Sequence, residues 1–145
     1  MYVWEYGNKL KDIVTKLTFD CSVIGDSYLT APMSYRPIDN TIRYNLGRVQ
    51  GIGMKRGFLF QDTFFCLGYH EIGHYIDFKN NPELHSNLKE RMTDPEFVYD
   101  REEQAYVLGR KLIESNKLLV IYDSLNNERL EKLKQKMKGF NYNRT

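Results

Sequence analysis

The segment from Phe64 to Phe78, FFCLGYHEIGHYIDF, constrains this chain more than any other. It is long enough for about four turns of helix and is apolar on nearly every face, so it belongs in the interior of a domain. Its few polar groups, His70, Glu71, His74 and Asp77, therefore sit where polarity costs free energy unless a partner satisfies them. Asp62 or Thr63 is placed to cap the helix, which is expected to run from about Thr63 to Phe78.

The spacing of those groups names the partner. Helix positions i and i+4 lie one above the other, so His70 and His74 can hold one ion, each through a ring nitrogen at about 2.0–2.1 Å. Glu71 stands about 100° round the helix from His70, beside the ion without being a ligand. There its carboxylate can hold a water, take its proton and pass that proton to a leaving amine. A bound metal brings the pKa of such a water to about 7. Gly73 leaves room for a second element to come close. The alternative is a pair of core histidines bonded internally. Against it, the chain has three histidines and two of them occupy this motif, with Glu at the position the chemistry requires.

A catalytic zinc site takes a third protein ligand and keeps one position open. Asp94-Pro95-Glu96 reads as a helix start, and the helix is expected to reach about Glu114. In helical phase, Glu102 shares a face with Ala105, Tyr106, Gly109, Leu112 and Ile113, whereas Glu103 lies with Val107, Arg110 and Glu114. The first face is the inward one, which makes Glu102 the expected third ligand, with Ala105 and Gly109 allowing close helix approach. Asp77, one turn past His74, is a candidate for orienting a histidine from behind, or else an ordinary surface acid. Tyr44, His85, Tyr99 and Tyr106 are candidate oxyanion donors, for each of which packing or exposure is the ordinary role. The strand expected at Thr41–Leu46 is a candidate cleft wall, since extended peptides pair with strand edges.

Elsewhere, Trp4–Leu17 has the three- and four-residue spacing of an amphipathic helix. Short strands are expected around Ser22–Ile24 and Tyr28–Thr30, and a flexible loop is expected where Gly47, Gly51, Gly53 and Gly57 cluster. The polar stretch after Asn80-Asn81-Pro82 is expected to hold one short helix. Leu118–Tyr122 reads as a strand or packed turn, and Ser124 as the cap of a last helix ending near Gly139. The expected fold class is α+β: a mostly helical zincin-like domain with a small antiparallel sheet beside the motif helix. One domain is expected over residues 1–145, with an N-terminal helix and irregular region to about 40, a catalytic core from 41 to 119, and a C-terminal helix and tail from 120 to 145.

Composition removes competing classes. With 41% hydrophobic and 28% charged residues the chain is ordinary for a globular protein. A formal charge of +2, with basic and acidic residues alternating, offers no basic face for nucleic acid. Two cysteines do not make a disulfide scaffold. Charges among the first twenty residues interrupt any signal-peptide core, and no stretch is apolar for long enough to span a bilayer. A cytoplasmic protein without membrane contact is the expectation.

The HEIGHY segment (His70–Tyr75), followed by EEQAYVLGRKLI (Glu102–Ile113), resembles the ImmA/IrrE family of metallopeptidases, and the order of elements is similar up to about Leu119. The resemblance implies a zinc-dependent endopeptidase of the thermolysin-like superfamily. It implies zinc on His70, His74 and the Glu three residues before a small residue, which is Glu102 before Ala105. It also implies, as substrate partner, a regulatory protein such as a repressor. Tyr106 stands where that family commonly has Asn, and no Met-Pro follows the second helix. Peptide deformylase shares the His-Glu-x-x-His helix but needs a Glu-Gly-Cys context, and here Cys21 follows Asp20. A reading of another class is a zinc-containing regulatory binding protein that keeps the fold without cutting. Glu71 counts against it, because a structural site needs no base.

Overall fold

The computed structural model describes residues 5–144, with side chains described to 139. The apolar segment forms the central helix, α3 (Phe60–Asn80), with Phe64, Cys66, Ile72, Tyr75 and Phe78 buried. It begins one turn earlier than its cap residues suggest: Leu59 precedes it without a side-chain cap, and Asp62 lies inside its first turn. Two apolar clusters form on it. Helix α1 (Glu5–Lys16) contributes Tyr6, Leu10 and Val14 to the first, together with Val23, Met33, Ile42 and Val49. The second gathers Cys66, Ile113, Ile121 and Tyr122.

Strands β1 (Ser22–Gly25), β2 (Met33–Arg36) and β3 (Thr41–Tyr44) form a sheet in the order β1-β3-β2. β1 runs parallel to β3 and β2 antiparallel to it, so the sheet is mixed rather than wholly antiparallel. The strand expected at Tyr28–Thr30 is a turn, in which the Tyr28 amide donates to Asp26 Oδ1 at 2.9 Å and the Tyr28 ring stays 94% exposed. Its aromatic content has nothing to pack against. Strand β2 forms instead, because Met33 enters the core and the stretch pairs with β3.

The glycine-rich stretch is a helix, α2 (Leu46–Arg56), not a flexible loop. Asn45 caps it by accepting from the Gly47 and Arg48 amides, and Gly57 ends it at φ 74°, a left-handed conformation that glycine adopts without strain. Gly53 is there for proximity: a Cβ would stand 3.1 Å from the Phe58 carbonyl oxygen and 3.0 Å from Thr63 Oγ1.

A 3-10 turn at Pro82–His85 and the short α4 (Leu88–Arg91) lead to α5 (Pro95–Arg110), which Asp94 caps through the Glu96 amide. α5 stops at Arg110, short of Glu114. The last helix, α6 (Asn116–Arg144), already includes Leu118–Tyr122. Ser115 caps it, its Oγ accepting from the Leu118 amide at 3.2 Å, while Ser124 lies inside it and accepts from Arg56 Nη2 at 2.5 Å. The reason is burial: Ile121 and Tyr122 already belong to the inward helical stripe that Leu130 and Leu133 continue. Among the described residues no helix is long and apolar enough to cross a membrane.

Helices α3 and α5 meet backbone to backbone. A Cβ on Gly73 would collide with the Ala105 carbonyl, and one on Gly109 with the Tyr69 carbonyl and the Tyr122 hydroxyl. Gly73→Ala is therefore expected to destabilise by about 2 kcal/mol or more, as overpacking against rigid backbone does. Gly51→Ala, in a helix and with open space around it, should be neutral or stabilising by up to about 1 kcal/mol. Urea unfolding of the two variants checks both signs.

Candidate metal centre

The helical repeat of α3 puts the two imidazoles on one face, edge to face, with ring centroids 4.8 Å apart and planes at 82°. The ligand atoms of His70, Glu71 and His74 lie within 4.8 Å of one another, a group that could hold a metal ion. From α5, Glu102 reaches between the rings: its Oε2 lies 2.6 Å from His70 Nε2 and 3.2 Å from His74 Nε2. Glu103 is exposed. The close α3–α5 approach at Gly73 and Ala105 is what brings that carboxylate within reach.

A residue from α6 sets the tautomer of His70. The Asn126 amide nitrogen donates to the Tyr122 carbonyl at 2.8 Å, so its Oδ1 is the atom that faces His70 Nδ1, at 2.6 Å. Nδ1 must then carry the proton, and the Nε2 lone pair points at an oxygen of Glu102. Two lone pairs at that distance repel unless a proton or a cation lies between them. An ion with bonds of about 2.0–2.1 Å spaces tetrahedral ligand atoms at about 3.3 Å. The His74–Glu102 separation is close to that value, and the His70–Glu102 separation reaches it by a small opening. The donor set, two neutral imidazole nitrogens and a carboxylate oxygen, fits a divalent transition ion.

The electrostatics agree. Burial opposes ionisation of Glu102, but the two imidazoles set against it outweigh burial and hold the carboxyl far below the usual range. Burial likewise disfavours a charged His74, yet Glu102, Glu71 and Asp77 overcome it and raise its pKa. The cluster thus calls for a positive charge, which a metal can supply in place of a proton. Glu71 is buried, and its Oε2 has no hydrogen-bond partner among the described residues. Burial raises its pKa, against the opposing pull of His74, His70 and the Tyr35 backbone amide.

Asp77 is neither on the surface nor bonded to a histidine. It is 1% exposed, pairs with Arg101 Nε of α5 at 3.3 Å and accepts from Asn81 at 3.2 Å. The Arg101 contact is an ion pair without hydrogen-bond alignment, since both atoms lack hydrogen-bond partners. The histidine partner is Asn126, which lies within the helix expected from Ser124 but was not singled out, because nothing local in the sequence ties it to His70, 56 residues away. The available signal was its place four residues after Tyr122 on the inward stripe.

A cleft of about 350 Å³ opens over the cluster. Its walls are α2, α6 and the Ala31–Met33 approach to β2. β3 does not line it, because that strand is central and paired on both edges. None of the four candidate oxyanion donors lines it either. Tyr44 packs edge-on against Phe64 and His85 against Phe78. The Tyr106 hydroxyl donates to Asp123 at 2.8 Å, and Tyr99 stands outside the lining. The cation over the cluster is Arg129, whose Nη2 lies 3.6 Å from Glu102 Oε1. Cys66 also lines the cleft, but burial pushes its thiol up to about 12, and the thiol donates to the Leu118 carbonyl at 3.5 Å, so it stays protonated.

Two outcomes are expected. Asn126→Ala should weaken metal binding about 10–100-fold, the usual cost of losing a partner behind a ligand, as measured by chelator competition. The second concerns Asp123, which accepts from Arg110 at 2.8 and 3.0 Å and from Tyr106 and so fastens α5 to α6. The Arg110 hydrogen bonds lower its pKa, burial opposes, and Tyr106 adds to the lowering. A depressed carboxyl pKa contributes stability above the unfolded value, which is lost as pH falls through the folded one. Asp123→Asn should therefore lower Tm near neutral pH, and the difference from wild type should shrink as pH falls through and below the ordinary carboxyl range. No family model, curated protein or solved structure matches this chain.

Proposed function

We propose that this protein is a zinc-dependent endopeptidase that hydrolyses a peptide bond in a regulatory, repressor-like protein, in keeping with the resemblance of its motifs to the ImmA/IrrE metallopeptidases. The observation that carries the reading is the Glu102 oxygen set between two histidine Nε2 atoms, with an unpartnered buried oxygen of Glu71 next to them. His70, His74 and Glu102 are the proposed ligands. Zinc bound there supplies Lewis-acid polarisation of a carbonyl and lowers the pKa of water to about 7.

The protein's own groups do the rest. Glu71 takes the proton of the attacking water and delivers it to the leaving amine, and its burial makes it a stronger base than an exposed glutamate. Asn126 keeps the His70 tautomer fixed. The chain at Ala31–Met33, leading into an edge strand, forms a wall along which an extended substrate can lie. Both cysteines are free and buried, which suits a reducing compartment and a cytoplasmic address.

Glu71→Gln is expected to retain zinc and to lose about 10²–10⁴-fold in cleavage rate, measured on a fluorogenic peptide library and on candidate repressors with mass analysis of fragments. Glu102→Ala should lose the zinc itself. An unchanged cleavage rate in Glu71→Gln would reject the assignment. A stable complex with an uncut partner would favour a binding protein instead.

A further inference from the structure

We infer that the cleft takes a peptide segment rich in aspartate and glutamate, because cations face it from two walls: Lys55 and Arg56 of α2, and Arg129 and Lys132 of α6. This rests on the endopeptidase reading and adds a substrate class to it. Among the described residues, the only lining carboxylate outside the cluster, Glu128, is already engaged by Arg56 and, at 3.2 Å, by Lys132. Glu71 and Glu102 lie on the floor, where a bound divalent ion balances them. Lys55 has no ion-pair partner among the described residues, and the Arg129 and Lys132 side chains are 53% and 64% exposed. The whole chain carries only +2, so this cationic excess is a local feature of the cleft and not a general basicity. Cations on facing walls of a groove focus the potential and concentrate anionic ligands there.

The anion is a peptide rather than a nucleic acid. No Phe, Tyr or Trp lines the cleft among the described residues, so unpaired bases would find no stacking platform. A cleft of about 350 Å³ holds a few residues of extended chain.

The test uses zinc-loaded Glu71→Gln protein and fluorescence anisotropy. Its probes are labelled short peptides of equal length, alternating Ala with Glu, Gln or Lys, and a single-stranded oligonucleotide of the same charge as the Glu peptide. The Glu peptide is expected to bind about tenfold tighter than the Gln peptide at low salt, and the advantage should shrink as salt rises. The Lys peptide should bind weakest. The double variant Lys55→Glu, Lys132→Glu, one change on each wall, should erase or invert the order while zinc content and the circular dichroism spectrum stay unchanged. Equal binding of the Glu and Gln peptides, no binding of any peptide, or tighter binding of the oligonucleotide would overturn the inference. Cleavage of the same peptides by the wild type separates this from the parent reading. A bound but uncut Glu peptide leaves the acidic preference standing and removes the protease, whereas cutting without preference does the reverse.

Discussion

A single carboxylate oxygen, that of Glu102, held between the Nε2 atoms of His70 and His74, is the interaction on which the rest of the structure depends. Placing it there requires three helices to be held against one another. Gly73 lets α5 touch α3 at the Ala105 carbonyl. Beneath the site, the Asp77–Arg101 pair spans the same two helices. Asp123 ties α6 to α5 through Tyr106 and Arg110, which in turn delivers Asn126 to His70. A buried charge pair is weak evidence for stability in itself. Here the arrangement makes sense as a fixed constellation, with packing locking each group in the position its neighbour needs.

The sheet and the N-terminal half serve a different purpose. α1 and β1 to β3 supply the apolar cluster against which α3 rests, and α2 closes one side of the cleft. The edge position of β2 follows from β3 taking the centre of the sheet, and the chain leading into it lines the same cleft that α6 walls with cations. Fold and site are thus connected through α3: one face completes a core, while another carries the polar groups that the core could not otherwise tolerate.

Much of this was legible in the sequence because it rests on helical phase. The all-round apolar character of residues 64–78 marked a buried helix, and i, i+4 spacing put both imidazoles on one face. The phase of α5 separated Glu102, now 16% exposed at the rings, from solvent-facing Glu103. What was not legible depended on partners distant in the chain. α2 reads as a loop because its glycines look like freedom, and only the approach of Thr63 and Phe58 shows that Gly53 answers a need for closeness. β2 has no strong pattern of its own and exists because β3 pairs with it. Asp77 could be placed behind a histidine only by ignoring Arg101, a residue on another helix, and Asn126, though four residues before Leu130 on the expected helix, meets His70 only through the packing of α6 on α3.

Zinc K-edge X-ray absorption on the zinc-loaded wild type tests the central claim most directly, since it reads the ligand shell itself. The account predicts the scattering signature of two imidazoles with one protein carboxylate and solvent oxygen, all at about 2.0–2.2 Å. A shell with one imidazole or none, or a sulfur at about 2.3 Å, would contradict it and move the ion away from His70, His74 and Glu102.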